Sequence, residues 1–217
     1  MHNHFVTNKE KGTSELDNPL VLLVDSKVDN IRKIQGVLEY VIKKNKSLLI
    51  VADVEQQVLT ALAMNKVKGN IKVNILEAPI YGISRKETLD DLAMLTGATV
   101  INEDLGDDMD LIKPEHLGTC LKTISSQEDT ILQLKETPEE VNDLIKGIQQ
   151  QIKETTNPSI IVRYEKRLAR LLAKVAIVKV GANSEVELKE KRDRVEDAIC
   201  ATKAAIKEGI VPGGGIA

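Results

Sequence analysis

The sequence predicts an α/β domain. Stretches of strand length recur at Leu20–Val24, a continuous apolar run, and at Ser47–Ala52 and Ile71–Leu76, and the stretches between them carry apolar residues at helical spacing behind cap-forming residues. A chain of 217 residues that is 42% hydrophobic and 29% charged can bury the core of one large domain with a small appendage. Read from the residues alone, the alternation is that of a doubly wound parallel sheet.

The elements follow in order. Leu20 to Val24 is a buried strand closed by Asp25. Asn30 caps a helix whose Ile31, Ile34, Leu38, Val41 and Ile42 share one face, with Val37 and Tyr40 lying off that stripe. Ser47 to Ala52 is a second strand. Asp53 and Gln56 form an Asp-x-x-Gln start signal for a helix reaching about Asn65, with Val58, Leu59, Leu62 and Ala63 apolar and Gly69 past its end. Ile71 to Leu76 is a third strand, Lys86 to Leu95 a third helix, and Thr99 to Ile101 a fourth strand.

Thr137-Pro138-Glu139-Glu140 combines a cap, a proline at the first helical position and a glutamate at the third, which starts a long helix to about Thr155. Asn157-Pro158 breaks it, and a second helix from Ser159 to about Lys174 places Ile161, Tyr164, Leu168 and Leu171 on one side, an antiparallel hairpin with the first. Val175 to Val180 reads as a returning strand. The last helix runs from about Glu185 to Glu208, with Leu188, Val195, Ile199, Thr202 and Ile206 inward, and ends at Gly209.

Composition excludes several functions. A net charge of −3 with one Phe, three Tyr and no Trp offers neither the field nor the stacking surface for nucleic acid. No apolar run reaches the roughly 20 residues that span a bilayer. Cys120 and Cys200 lack the spacing of a zinc or redox site and read as reduced thiols; His2 and His4 sit on a frayed terminus, so no metal is expected.

The stretch from Val180 to Ala217, with V-E-D-A, A-T-K-A-A and E-G-I-V-P-G-G-G-I-A, resembles the second intermediate-domain segment of the group I chaperonins, the GroEL family, where it re-enters the ATP-binding domain. The likeness extends back through I-K-V-N-I-L-E-A-P at Ile71, D-D-L-A-M-L-T-G-A-T-V-I at Asp90 and I-Q-Q-Q-I-K-E at Ile148. The resemblance implies an apical domain at 1–175, an intermediate segment at 176–208 and a truncated start of the equatorial segment at 209–217. Ending in a glycine loop, the chain is expected to be a piece of a longer protein. The implied fold replaces the doubly wound sheet with a swivelling β/β/α sandwich flanked by helices, beside a helical partial intermediate domain.

The same resemblance implies a chaperone function: capture of non-native polypeptides and of a co-chaperonin mobile loop in a groove between the two early helices. The matching positions are His4, Phe5, Gln35, Leu38, Glu39, Ile42, Leu59, Ala63 and Met64. Gln35 stands where the family has a leucine and His4 where it has an aromatic residue, both of which make the groove more polar. Ala173-Lys174 occupies the place of a hinge glycine pair. Asp197 matches the aspartate that activates water for ATP hydrolysis, Gly214 a glycine against the nucleotide, and Glu185 a residue of intersubunit ion pairs.

ATP and magnesium are implied for the parent ring and no cofactor for this chain, which has no phosphate loop and is not expected to hydrolyse ATP. The parent would work in a bacterial cytoplasm, a mitochondrial matrix or a plastid stroma. Two other readings stand beside this one. A small α/β nucleotide- or phosphate-handling enzyme fits the alternation, although Val24-Asp25-Ser26-Lys27 forms no glycine-rich loop. A scaffold without a groove would bury Leu38, Leu59 and Met64.

Overall fold

A computed structural model describes residues 3–8, 12–77, 83–127, 129–135, 138–172, 178, 180–211 and 213. The chain divides into two compact units, Met1–Val175 and Ala176–Ala217. In the first, β1 (Ser14–Asp17), β2 (Leu20–Val28), α1 (Gln35–Lys43), β3 (Ser47–Val54), α2 (Gln56–Val67), β4 (Lys72–Leu76), α3 (Ile83–Thr96) and β5 (Val100–Ile101) follow in order. Then come β6 (Gly118–Thr119), β7 (Lys122–Ser125), β8 (Thr130–Gln133), α4 (Glu139–Glu154) and α5 (Pro158–Leu171). The second unit holds α6 (Glu185–Glu208).

Strands β4, β3, β2 and β5 pair in that order, all parallel, and β6 adds antiparallel to the start of β2. Parallel strands buried on both faces read as continuous apolar runs, which is why β2 and β3 were visible as Leu20–Val24 and Ser47–Ala52. One face carries Leu22, Val24, Leu48, Ile50, Val73 and Ile75 against α1 and α2. The opposite face carries Val21, Leu23, Leu49 and Val51 against Leu89 of α3, Leu16 of β1 and, less completely buried, Leu132 of β8.

That second face explains the fold class. Strands β1, β7 and β8 form a separate antiparallel sheet, which covers the parallel sheet and is tied to it by a buried hydrogen bond from Asn74 Nδ2 to Ser125 Oγ, 3.0 Å. The first unit is a mixed α/β sandwich, as the resemblance implied, and the parallel α/β unit read from the residues survives inside it. None of the four short strands β1, β6, β7 and β8 was among the predicted elements.

Local corrections have physical causes. Asp53 does not cap α2: β3 continues through it, in register with Lys27, and Glu55 becomes the residue before the helix. Asn30 does cap, accepting from Arg32 N at 3.0 Å, but it starts a 3-10 turn, Ile31–Ile34, that precedes α1. Pro138 is the cap of α4 and Glu139 its first residue, while Thr137 lies outside the described residues. Helix α3 starts at Ile83, three residues before the expected Lys86, and runs to Thr96.

Helices α4 and α5 form the predicted hairpin. Val141, Ile148 and Leu171 make its core, with Met94 and Leu95 of α3 packed against them. Asn157, read as a breaker, also caps α5 by accepting from Ser159 N at 3.1 Å, with Pro158 in the first turn where its missing N–H costs nothing. In the second unit Ser184 caps α6 and Gly209 follows it at φ 87. The stripe predicted to face inward there divides: Leu188 and Val195 are half-buried, whereas Ile199, Thr202 and Ile206 are exposed. Of the predicted strand Val175–Val180, residues 175–177 and 179 lie outside the described residues, and neither Val178 nor Val180 is in a strand.

Candidate functional site

Helices α1 and α2 are the crossovers from β2 to β3 and from β3 to β4. Right-handed crossovers between adjacent parallel strands place successive helices side by side on one face of the sheet. Both helices bury residues in the same apolar cluster, consistent with that placement.

Each helix has an inner and an outer side. Val37, Leu38 and Val41 of α1 and Val58, Leu59, Leu62 and Ala63 of α2 point into the sheet. The outer side of α1 carries Gln35 and Glu39, joined one turn apart by a hydrogen bond from Gln35 Nε2 to Glu39 Oε1 at 2.8 Å, and ends at Ile42, which is 49% exposed. Helix α2 presents Thr60, Met64 and Val67 outward, the last two 60% and 84% exposed. Phe5, in the 3-10 turn Asn3–Phe5, is fully buried in the cluster beneath, and His4 is exposed.

The positions expected to line a groove therefore divide. Gln35, Glu39, Ile42, Met64 and His4 are on the surface. Leu38, Leu59, Ala63 and Phe5 belong to the core, because an apolar side chain on the sheet-facing arc of a helix has the sheet as its partner. The scaffold reading is overturned at Met64 and holds at Leu38 and Leu59. Val67 was not among the expected residues; its signal was the three-residue step from Met64, which puts both on one outward face.

Lys66 was also missed. Its Nζ donates to the Phe5 carbonyl oxygen and lies 5.4 Å from the centre of the Phe5 ring. Burial lowers its pKa to about 8. It lines a cleft of about 650 Å³ at the N-terminal ends of the parallel strands, together with Lys44, Lys46, Lys72, Glu15 and Asp17.

The opposite, C-terminal ends of the strands are where an open α/β sheet binds nucleotides, at the point where strand order reverses. Here that point lies between β2 and β5 and is closed by internal bonds. Arg85 donates from Nε to Asp25 Oδ1 at 2.8 Å and from Nη2 to the Asp25 carbonyl at 2.7 Å, while Asn102 Nδ2 donates to Asp25 Oδ2 at 3.1 Å. Glu103 N donates to Ser26 Oγ at 2.8 Å. Among the described residues, these groups at the switch point are paired to one another.

The remaining expected residues are placed as follows. Asp197 is exposed on α6, and Glu185 is its exposed first residue. Gly214, Ala173 and Lys174 lie outside the described residues. Cys120 is buried, which pushes its thiol up to about 11, and Cys200 is exposed. Among the described residues no cluster of His, Cys, Asp or Glu is placed to hold a metal ion, and no helix is long and apolar enough to cross a membrane.

The described residues thus form a mixed α/β sandwich with two helices paired over one face of the parallel sheet. Residues 8–217 match the TCP-1/cpn60 chaperonin family, and the chain belongs to that family. In general terms its function is that of a chaperonin.

Proposed function

We propose that residues 1–175 are the apical, polypeptide-binding domain of an ATP-dependent group I ring chaperonin, which takes non-native chains and a co-chaperonin mobile loop on the outer side of α1 and α2. Residues 176–208 would be intermediate-domain sequence and 209–217 the start of an ATP-binding segment. Asp197 and Gly214 would act only when joined to a phosphate loop and magnesium site elsewhere in the parent, and Glu185 only across a ring interface.

The observation that carries this reading is the exposure of Ile42, Met64 and Val67 on helices whose other side is anchored in the core. Large apolar side chains held in water on a rigid support cost solvation that a bound chain recovers. Met64 adds an unbranched side chain that adapts to varied partners. Gln35 and Glu39 give the surface a polar border, so it is narrower than an all-apolar groove.

The test is suppression of aggregation of a chemically unfolded client by this chain, and by an Ile42→Ser/Met64→Ser double variant. The expected result is loss of most of the suppression with an unchanged thermal melt. Full suppression by the double variant would remove the assignment. A mobile-loop peptide should compete with client on the native chain and bind weakly to the variant.

A further inference from the structure

We propose that Lys66 is a modification site, a nucleophilic amine acylated by small phosphate-bearing acyl donors that enter the cleft at the N-terminal edge of the parallel sheet. Lys66 is partly buried yet lines a cleft of about 650 Å³, large enough for such a donor. No described carboxylate pairs with its Nζ. The two acidic residues lining the cleft, Glu15 and Asp17, are engaged by Lys122, whose Nζ lies 2.8 Å and 3.8 Å from their oxygens.

The bond that Lys66 does make leaves it reactive. A carbonyl oxygen only accepts, so the amine uses an N–H toward Phe5 and keeps its lone pair free once deprotonated. The Phe5 ring favours the ammonium, but desolvation outweighs it and brings the pKa to about 8. A lysine of ordinary pKa near 10.4 is almost wholly protonated at neutral pH, whereas this one holds a sizeable neutral fraction.

The surroundings select the donor. Lys44 and Lys46 line the same cleft from the turn between α1 and β3, and Lys72 from the first position of β4, and no described acidic partner is paired with them. Their charge draws an anionic reagent toward Lys66. In the step itself the neutral amine attacks the donor's carbonyl carbon, the bond from that carbon to the phosphate oxygen breaks, and inorganic phosphate leaves. The proton shed by nitrogen passes to phosphate or water, and the product is an Nε-acyl lysine.

Acetyl phosphate is the probe, with peptide mass spectrometry reading each lysine of the intact chain. Lys66 should acetylate at least about tenfold faster than the neighbouring exposed Lys68 at pH 7.5, an advantage that disappears in urea. A Lys46→Gln/Lys72→Gln variant should slow that reaction several-fold without slowing acetylation of Lys66 by neutral N-acetoxysuccinimide. The neutral reagent thereby reports that the site is still formed in the variant. A Lys66 rate equal to or below that of Lys68 with both reagents overturns the proposal. Equal slowing of both reagents, or of neither, overturns the assignment of an anionic donor.

Discussion

Arg167 on α5 grips Asp91 on α3 with two nitrogens, Nη2 2.7 Å from Oδ1 and Nε 2.9 Å from Oδ2. Asp91 is buried, and hydrogen bonding to it holds the Arg167 guanidinium above its ordinary pKa. Glu87 stands 3.8 Å from Nη1 of the same arginine, and Arg170 Nη1 donates to Thr88 Oγ1 at 2.9 Å. The α4–α5 hairpin is therefore fastened to α3 by a polar seam beside the apolar contact of Met94 and Leu95.

Arg167→Ala should lower the unfolding free energy by about 3 kcal/mol in urea denaturation, because it strands a buried carboxylate. The double replacement Arg167→Met with Asp91→Leu should recover most of that loss, since neither charge then remains to be solvated. A single variant with a wild-type midpoint would show that the seam contributes nothing.

Leu59 and Met64 lie five residues apart on α2 and should respond oppositely. Leu59 is 5% exposed in the core cluster, so Leu59→Ala should cost about 2–4 kcal/mol, and Leu59→Asp should unfold the domain. Met64→Ser should leave stability within about 0.5 kcal/mol of wild type while weakening client capture. Thermal melts and the aggregation assay, run on the same samples, separate the two effects. A Leu59→Ala variant that melts normally but captures no client would return Leu59 to the binding surface.

How far the sequence was legible depended on burial. Strands β2 and β3 are buried on both faces and show as apolar runs, whereas β1 and β8 are four residues long, and Ser-Glu-Leu-Asp or Thr-Ile-Leu-Gln in isolation is indistinguishable from a loop. Asp53 sits at a helix-start spacing, but pairing with Lys27 across two parallel strands extended β3 through it. On α1 and α2, periodicity marked the apolar residues without telling which of them faced the sheet. Leu38 and Ile42 are both apolar and one turn apart, yet only Leu38 reaches the core. Lys66 was invisible for another reason: its environment comes from Phe5, 61 positions away in the chain.

Gly118 is a glycine for want of space. It pairs with Val21 at the start of β2, and a Cβ built there would lie 2.7 Å from Thr96 Oγ1 and 2.8 Å from the Ala98 Cβ. The Thr96 hydroxyl cannot swing away freely because it donates to the Leu92 carbonyl at 2.7 Å. Gly118→Ala should cost about 1–3 kcal/mol and speed amide exchange in β6 and the first residues of β2. Unchanged exchange at Val21 would mean that the end of α3 gives way instead.

Lys66 should also leave a signature in the pH dependence of stability. Its folded pKa of about 8 lies below the ordinary lysine value of 10.5, so between those limits the unfolded chain binds more protons than the native one. Unfolding free energy then rises with pH across that window. Cys120 acts in the opposite sense, because its thiol is pushed up to about 11 in the folded state and the native chain keeps that proton longer. Lys33 and Lys122 have raised values, so their support is lost only above 10.5. The difference between wild type and Lys66→Met, followed by urea denaturation from pH 8 to pH 10, cancels the Cys120 effect and isolates Lys66. The wild-type curve should climb relative to the variant over that range, whatever the offset between them. Parallel curves would mean that the Lys66 amine is solvated in the native state, which would also undercut its reactivity toward acyl donors.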